Sequence, residues 1–249
     1  MLRAYGDGNL FGEPYGVGPV RVVWLHGWAR RAHDFAAAAT RLTEDGASSV
    51  ALDLPGFGSS PAPAVAGGAR HYATLVAPAL ADLADGPVVL VGHSFGGLVA
   101  TVIAADHPEL VRSLVLTGAP LVRLAPSATS PLAFRAIRWL HGRGVVDGRR
   151  MEAARQKYGS ADYRSAAGVM REVLVATVNE SYEDELGRVT VPVALVWGTN
   201  DLEVPLEIAR RSASLLHVPS TMTTVEGVGH LVPTDASAAL AEAVREALR

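Results

Sequence analysis

The sequence predicts an open, mostly parallel α/β sheet flanked by helices, with a helical segment inserted between two of its strands. Three observations carry this expectation. Six short apolar runs bounded by turn residues have the length of buried strands. Segments of helical length and period alternate with them, the pattern of a parallel sheet built from crossover units. The alternation breaks once, from about Pro120 to Thr190, where helix-like stretches occur without a convincing strand.

In chain order, VRVVWL from Val20 is the first strand, followed by the helical stretch DFAAAATRLTED and a second strand, SVALDL, from Ser49. PAPAVAGG, from Pro61 to Gly68, reads as a surface loop before the helix YATLVAPALADL. PVVLVG from Pro87 is the third strand, GLVATVIAADH the helix after it, and SLVLTG from Ser113 the fourth strand. The interruption holds PLAFRAIRWL, DGRRMEAARQKY and YRSAAGVMREVLVATVN. A loop of that length without structure of its own is uncommon, so residues 120–189 are expected to form a helical cap (lid) over the strand ends. The core is then residues 1–119 and 190–249. VALVWG from Val193, LEIARRSASLL, TMTTVEG from Thr221 and DASAALAEAVREAL complete the alternation. Apolar on both faces, the strand runs suit a sheet covered by helices on each side.

The 249 residues are 49% hydrophobic and 19% charged, a globular composition. Net charge is −3, with an isoelectric point near 6.2, so no overall field recruits nucleic acid or an anionic membrane. The absence of cysteine removes disulfides and thiolate chemistry. MLRAYGDGNLFGEPYG lacks the continuous apolar stretch of a secretory signal, and no run approaches the roughly eighteen apolar residues of a membrane span. The expectation is a cytoplasmic protein, monomeric or a weak homodimer.

One motif carries chemistry. Gly92-His93-Ser94-Phe95-Gly96 falls between the strand PVVLV and the helix GLVATVIAAD, the context that gives G-x-S-x-G its meaning. Flanking glycines let helix and strands approach closely, while a strained serine, at about 1–3 kcal/mol, is lifted over the sheet at a helix N-terminus. A serine hydroxyl is a weak nucleophile until a base takes its proton, and histidine, with an unperturbed pKa of about 6.5, does so at neutral pH.

The chain resembles the α/β-hydrolases, in the subfamily with a helical cap. The likeness rests on five motifs in order: WLHGW (Trp24 to Trp28), DLPGFGSS (Asp53 to Ser60), the serine turn, VWGTNDLEVP (Val196 to Pro205) and VEGVGHLVPTDAS from Val225. It implies Ser94 as nucleophile, His230 as base and Asp201 as the carboxylate that orients it, in the chain order this fold uses. It also implies that the backbone N–H groups of Trp28 and Phe95 form the oxyanion hole, each well-placed donor being worth roughly 2.7–4 kcal/mol. Trp28 is expected to place a large apolar surface beside the serine.

Rival uses of these residues are explicit. Asp201 also fits an N-cap for a helix starting near Pro205. His26, His93 and Asp53 read as structural or orienting groups. No metal-binding spacing is present, and neither metal nor cofactor is expected. Between Arg123 and Lys157 stand eight basic residues against two acidic ones, Asp147 and Glu152, in a chain that is acidic overall. This is either a solvated face or a docking surface for an acidic substrate or carrier, with Arg123, Arg135, Arg138 and Trp139 as candidate contacts. Esterases acting on methyl esters of pimeloyl bound to acyl-carrier protein are similar in having a basic cap and histidine-glycine-tryptophan. The expected activity is hydrolysis of small-molecule carboxylic esters. The alternatives are a carrier-protein methyl ester esterase, a carbon–carbon bond hydrolase, or a ligand-binding receptor or pseudoenzyme on the same scaffold.

Overall fold

The computed structural model describes residues 2–6, 8–123, 139–158 and 161–249. Its strands are β1 (Arg3–Tyr5), β2 (Leu10–Tyr15), β3 (Val20–Leu25), β4 (Ser48–Asp53), β5 (Val88–His93), β6 (Val111–Thr117), β7 (Val193–Gly198) and β8 (Ser220–Val225). They form one sheet in the order β1-β2-β4-β3-β5-β6-β7-β8. From β4 through β3 to β8 all neighbours pair in parallel, while β2 runs antiparallel to both β1 and β4.

Alternate side chains feed two cores. Val23 and Leu25 of β3, Leu90 of β5 and Leu114 and Leu116 of β6 pack under α2 (Ala69–Leu83) and α3 (Phe95–Asp106). Val22, Trp24, Val89, Val91 and Val115 face the other way, onto Ala38, Ala39 and Leu42 of α1 (Ala36–Glu44). Burial on both faces is why these strands read as unbroken apolar runs. Helix α3 is buried through nearly its whole length, as its apolar sequence requires.

Two strands escaped the sequence reading. β1 is three residues long, and β2 carries Gly12 and Pro14 and buries only two of its six residues, so neither shows an apolar run. One expectation is corrected: the run from Thr221 is a strand, but an exposed edge strand rather than a buried one. Its β-branched threonines supply strand propensity without a buried face.

Between β6 and β7 the described residues hold helices and no strand: a helical stretch at 139–142, α4 (Gly148–Tyr158), α5 (Ala161–Ser165), α6 (Gly168–Asn179) and α7 (Glu183–Arg188). The expected helix over 131–140 lies, up to residue 138, outside the described residues. The run from Tyr163 to Asn179 divides, because Ala167 is extended and Gly168 has φ +53°. Tyr182, Leu186 and Val189, at the end of this segment, pack into the α2/α3 core. After β7 follow α8 (Leu206–Leu215), then, beyond β8, α9 (Val232–Asp235) and α10 (Ser237–Ala247).

The strand order reverses direction at β3, which has β4 on one side and β5 on the other. Loops leaving the carboxyl ends of β3 and β5 therefore part there and leave a crevice, where open α/β sheets bind ligands.

Candidate active site

Ser94 stands at this crevice, between β5 and α3, with φ 50° and ψ −115°. Its N–H donates to Thr117 O at 2.9 Å, while its carbonyl accepts from Gly97 and Leu98 at 2.9 and 3.2 Å. The two motif glycines are steric requirements. A Cβ on Gly92 would lie 2.5 Å from Gly97 Cα, and one on Gly96 would lie 2.2 Å from Leu25 O. The helix is thus pressed against β3, and Gly96 N–H donates to His26 O at 3.0 Å.

Loops after β7 and β8 bring the next two groups together. Asn200 N–H donates to Val228 O at 2.9 Å and Gly227 N–H to Thr199 Oγ1 at 2.9 Å, lacing the loops side by side. Across them His230 Nδ1 donates to Asp201 Oδ2 at 2.8 Å. Asp201 Oδ1 accepts from Glu203 N–H at 3.0 Å and Val204 N–H at 2.8 Å. The helix-cap alternative for Asp201 fails on geometry: α8 begins at Leu206 with Pro205 before it and no side-chain cap.

His93 joins serine and imidazole. Its Nε2–H donates to His230 O at 3.0 Å, and the two rings lie 4.9 Å apart. A Cβ on Gly27 would be 3.2 Å from Ser94 Cβ and 2.8 Å from His93 Nδ1, and one on Gly118 only 2.7 Å from His230 Cε1. Burial, reinforced by the neighbouring His230, pushes the His93 pKa down to about 3, so its ring stays neutral. His26 is likewise held neutral by burial; its Nδ1–H donates to Gly27 O at 2.7 Å and its Nε2 accepts from Leu54 N–H at 3.0 Å. Asp53 accepts from Ala32 N–H and Ser59 N–H at 2.7 and 2.8 Å. All three fill the structural roles the sequence assigned to them.

The Ser94 hydroxyl has no hydrogen-bond partner among the described residues. His230 Nε2, the atom that would take its proton, lies 3.8 Å from Glu203 Oε2. Nucleophile–base contacts in free hydrolases are frequently loose and tighten on substrate. Among the described residues neither Trp28 N–H nor Phe95 N–H donates to another group. The two non-glycine residues with positive φ among the described residues are Ser94 and Ala29, at 50° and 54°. Among the described residues, non-glycine backbone strain of this kind falls on the serine turn and on the loop carrying Trp28.

An apolar wall adjoins the serine. Trp28 meets Phe57 edge-on at 5.0 Å and Phe95 at 5.6 Å, and Tyr72 meets Phe95 at 4.9 Å. Tyr163, Ala166 and Leu174, from the helical segment, pack onto Trp28. Tyr72 O–H donates to Pro55 O at 2.9 Å and reaches Met170 Sδ at 3.7 Å. Phe57, Tyr72, Met170 and Glu203 were not singled out from sequence. Phe57 sat unread within DLPGFGSS and Glu203 within VWGTNDLEVP, while Tyr72 and Met170 carry no local signal.

The candidate cap contacts separate. Arg123 is committed to the end of α6, donating to Val178 O at 2.6 Å and Glu180 O at 2.9 Å. Trp139 is 57% exposed, with the Arg143 guanidinium 3.6 Å over its ring. Arg135 and Arg138 lie outside the described residues. No cluster of three metal-ligating side chains occurs among the described residues.

Residues 22–243 match the family described as the alpha/beta hydrolase family. Pimeloyl-acyl-carrier-protein methyl ester esterase of Chromobacterium violaceum is 32% identical over 238 residues, covering 84% of this chain and 86% of that one. A non-heme chloroperoxidase of Streptomyces lividans is 29% identical, covering 89% of each chain. Among solved structures, an esterase from Exiguobacterium antarcticum superposes with a TM-score of 0.75 at 22% identity, covering 100% of this chain and 98% of that one. At that identity the likeness concerns the fold. The sheet order, the strained serine before α3 and the match across most of the sequence agree: this chain belongs to the alpha/beta hydrolase family.

Proposed function

We propose that the protein is a serine hydrolase that cleaves carboxylic esters of small or medium acyl groups through an acyl-enzyme. Ser94 Oγ attacks the ester carbonyl as His230 Nε2 takes its proton, and Asp201 holds the Nδ1–H tautomer and stabilises the imidazolium. The negative charge on the carbonyl oxygen is met by the N–H groups of Trp28, on the loop after β3, and of Phe95, at the start of α3. The imidazolium returns the proton to the departing alkoxide, leaving an ester on Ser94. Water, deprotonated by His230, then attacks that ester and releases the acid and the free serine. Residues 120–189 serve as the cap and residues 1–119 and 190–249 as the core, with Trp28 and Phe57 edging an uncharged acyl site and the buried Phe95 and Tyr72 packed with them.

The observation that carries this reading is the 2.8 Å Asp201–His230 hydrogen bond on loops laced beside the strained serine. Hydrolysis of p-nitrophenyl acetate and butyrate, compared between wild type and Ser94→Ala, tests it. Loss of turnover is expected, and equal rates would remove the proposal.

A second reading is favoured by one observation, the exposed Arg149 and Arg150 on α4 beside the Trp139–Arg143 stack. In it the substrate is a methyl ester carried on an acidic protein that docks on this basic face, the activity named for the relative from Chromobacterium violaceum. A KM for carrier-bound ester below that for the free methyl ester, rising with salt, is expected. Equal KM values would return the protein to small-molecule esters. No helix among the described residues is long and apolar enough to cross a membrane; a cytoplasmic monomer or weak homodimer fits both readings.

A further inference from the structure

The turn that holds Asp201 also carries a second carboxylate. Glu203 N–H donates to Asp201 Oδ1 at 3.0 Å, so the position of residue 203 is fixed by the same contact that fixes the acid. Its side chain extends back, placing Oε2 3.8 Å from His230 Nε2 while remaining 72% exposed. The charged and titratable groups about this imidazole are Asp201 at Nδ1, Glu203 at Nε2 and the neutral His93 ring. Glu203 is therefore the charged group on the Nε2 side of the ring among the described residues.

We propose that Glu203 sets the charge preference for the alcohol half of the substrate, favouring cationic and disfavouring anionic alcohols. This rests on the serine-esterase reading above. In that chemistry Nε2 hands its proton to the departing alkoxide oxygen, so that oxygen comes within about 2.6–3.2 Å of Nε2. A carboxylate 3.8 Å from the same atom then borders the first carbons of the alcohol. Being at the mouth of the site, it meets whatever substituent that alcohol carries outward. The aromatic side chains next to the serine, the half-buried Trp28 and Phe57 and the buried Phe95 and Tyr72 packed with them, carry no charge, so in this reading discrimination by charge falls to the leaving-group side. Before substrate arrives, Glu203 is also an alternative partner for a protonated Nε2, in the place the Ser94 hydroxyl takes during reaction.

The test uses three butyrate esters that share an acyl group and differ in the alcohol: choline, its neutral isostere 3,3-dimethylbutanol, and isethionate. Released acid is followed at constant pH for wild type, Glu203→Gln, Glu203→Lys and Ser94→Ala. The ratio of kcat/KM for the choline ester to that for the isethionate ester should fall about tenfold in Glu203→Gln and further in Glu203→Lys, carried mainly by KM. The wild-type ratio should shrink as salt rises. A merely structural role lowers all three rates in proportion and leaves the ratio alone. An unchanged ratio in both variants, with Ser94→Ala inactive on all three esters, overturns the assignment to Glu203 and leaves the esterase standing. Undiminished rates in Ser94→Ala overturn both.

Discussion

Asp201→Asn separates catalysis from architecture at one atom. Asp201 accepts three hydrogen bonds, from His230 Nδ1 at 2.8 Å and from the N–H groups of Glu203 and Val204 at 3.0 and 2.8 Å. Asparagine keeps an oxygen for the two backbone donors but presents an N–H₂ group where Oδ2 stood. Nδ1 must then accept, its proton moves to Nε2, and the serine faces a donor that cannot take its proton. The folding cost is about 1 kcal/mol, since one contact is reversed rather than lost, and the melting temperature drops by about 2–4 °C. Turnover falls by about 10⁴, equivalent to about 5.5 kcal/mol. The assay is kcat for p-nitrophenyl butyrate beside a thermal melt of the same preparation. A variant that keeps more than a tenth of wild-type kcat while melting several degrees lower would show that Asp201 serves the turn alone.

Three further outcomes follow from the same contacts. Gly96→Ala forces a Cβ to within 2.2 Å of the Leu25 carbonyl, which neither β3 nor α3 can yield, and should destabilise the fold by about 3 kcal/mol or more in chemical denaturation. His93 is neutral when folded, with its pKa pushed down to about 3, whereas the unfolded chain titrates near 6.5. The unfolded state therefore takes up the proton first. Stability is whole above about pH 6.5 and is lost as pH falls, by about 2 kcal/mol between pH 7 and pH 5 from this group alone. Denaturant titrations at the two pH values read it, and a His93→Asn variant with the same slope would contradict it. Arg123→Ala frees the carbonyls at the end of α6 and should cost about 1 kcal/mol, seen as faster amide exchange in that helix. Unaltered exchange would show that the guanidinium does not hold the helix end.

What the sequence revealed follows burial and local constraint. β3 and β7 match their apolar runs residue for residue because both faces are covered, so pattern and environment coincide. The serine turn was legible because its glycines avoid backbone clashes in which a Cβ would come within 2.5 Å of Gly97 Cα and 2.2 Å of Leu25 O, which no other residue relieves. β2 was hidden by Gly12 and Pro14, tolerated in a strand next to the sheet edge and unreadable by alternation. β8 was misjudged as buried because threonine favours strands whether or not it is covered. In the site, Asp201 and His230 were found through motifs; Glu203 stood in the Asp201 motif but its reach to the His230 ring depends on how two loops meet, and Met170 arrives through tertiary placement that no spacing encodes. Arg123 looked like a substrate cation by charge alone, yet its partners are backbone carbonyls some fifty-five residues away in the chain.

The central claim is that Ser94 is an activated nucleophile, and covalent capture tests it most directly. Incubation with a fluorophosphonate, followed by intact mass and peptide mapping, should show one adduct per chain, on Ser94, formed more slowly in Asp201→Asn and His230→Ala in step with their loss of esterolysis. An unmodified Ser94 in a preparation that still hydrolyses esters, or an adduct on another residue, would contradict the account.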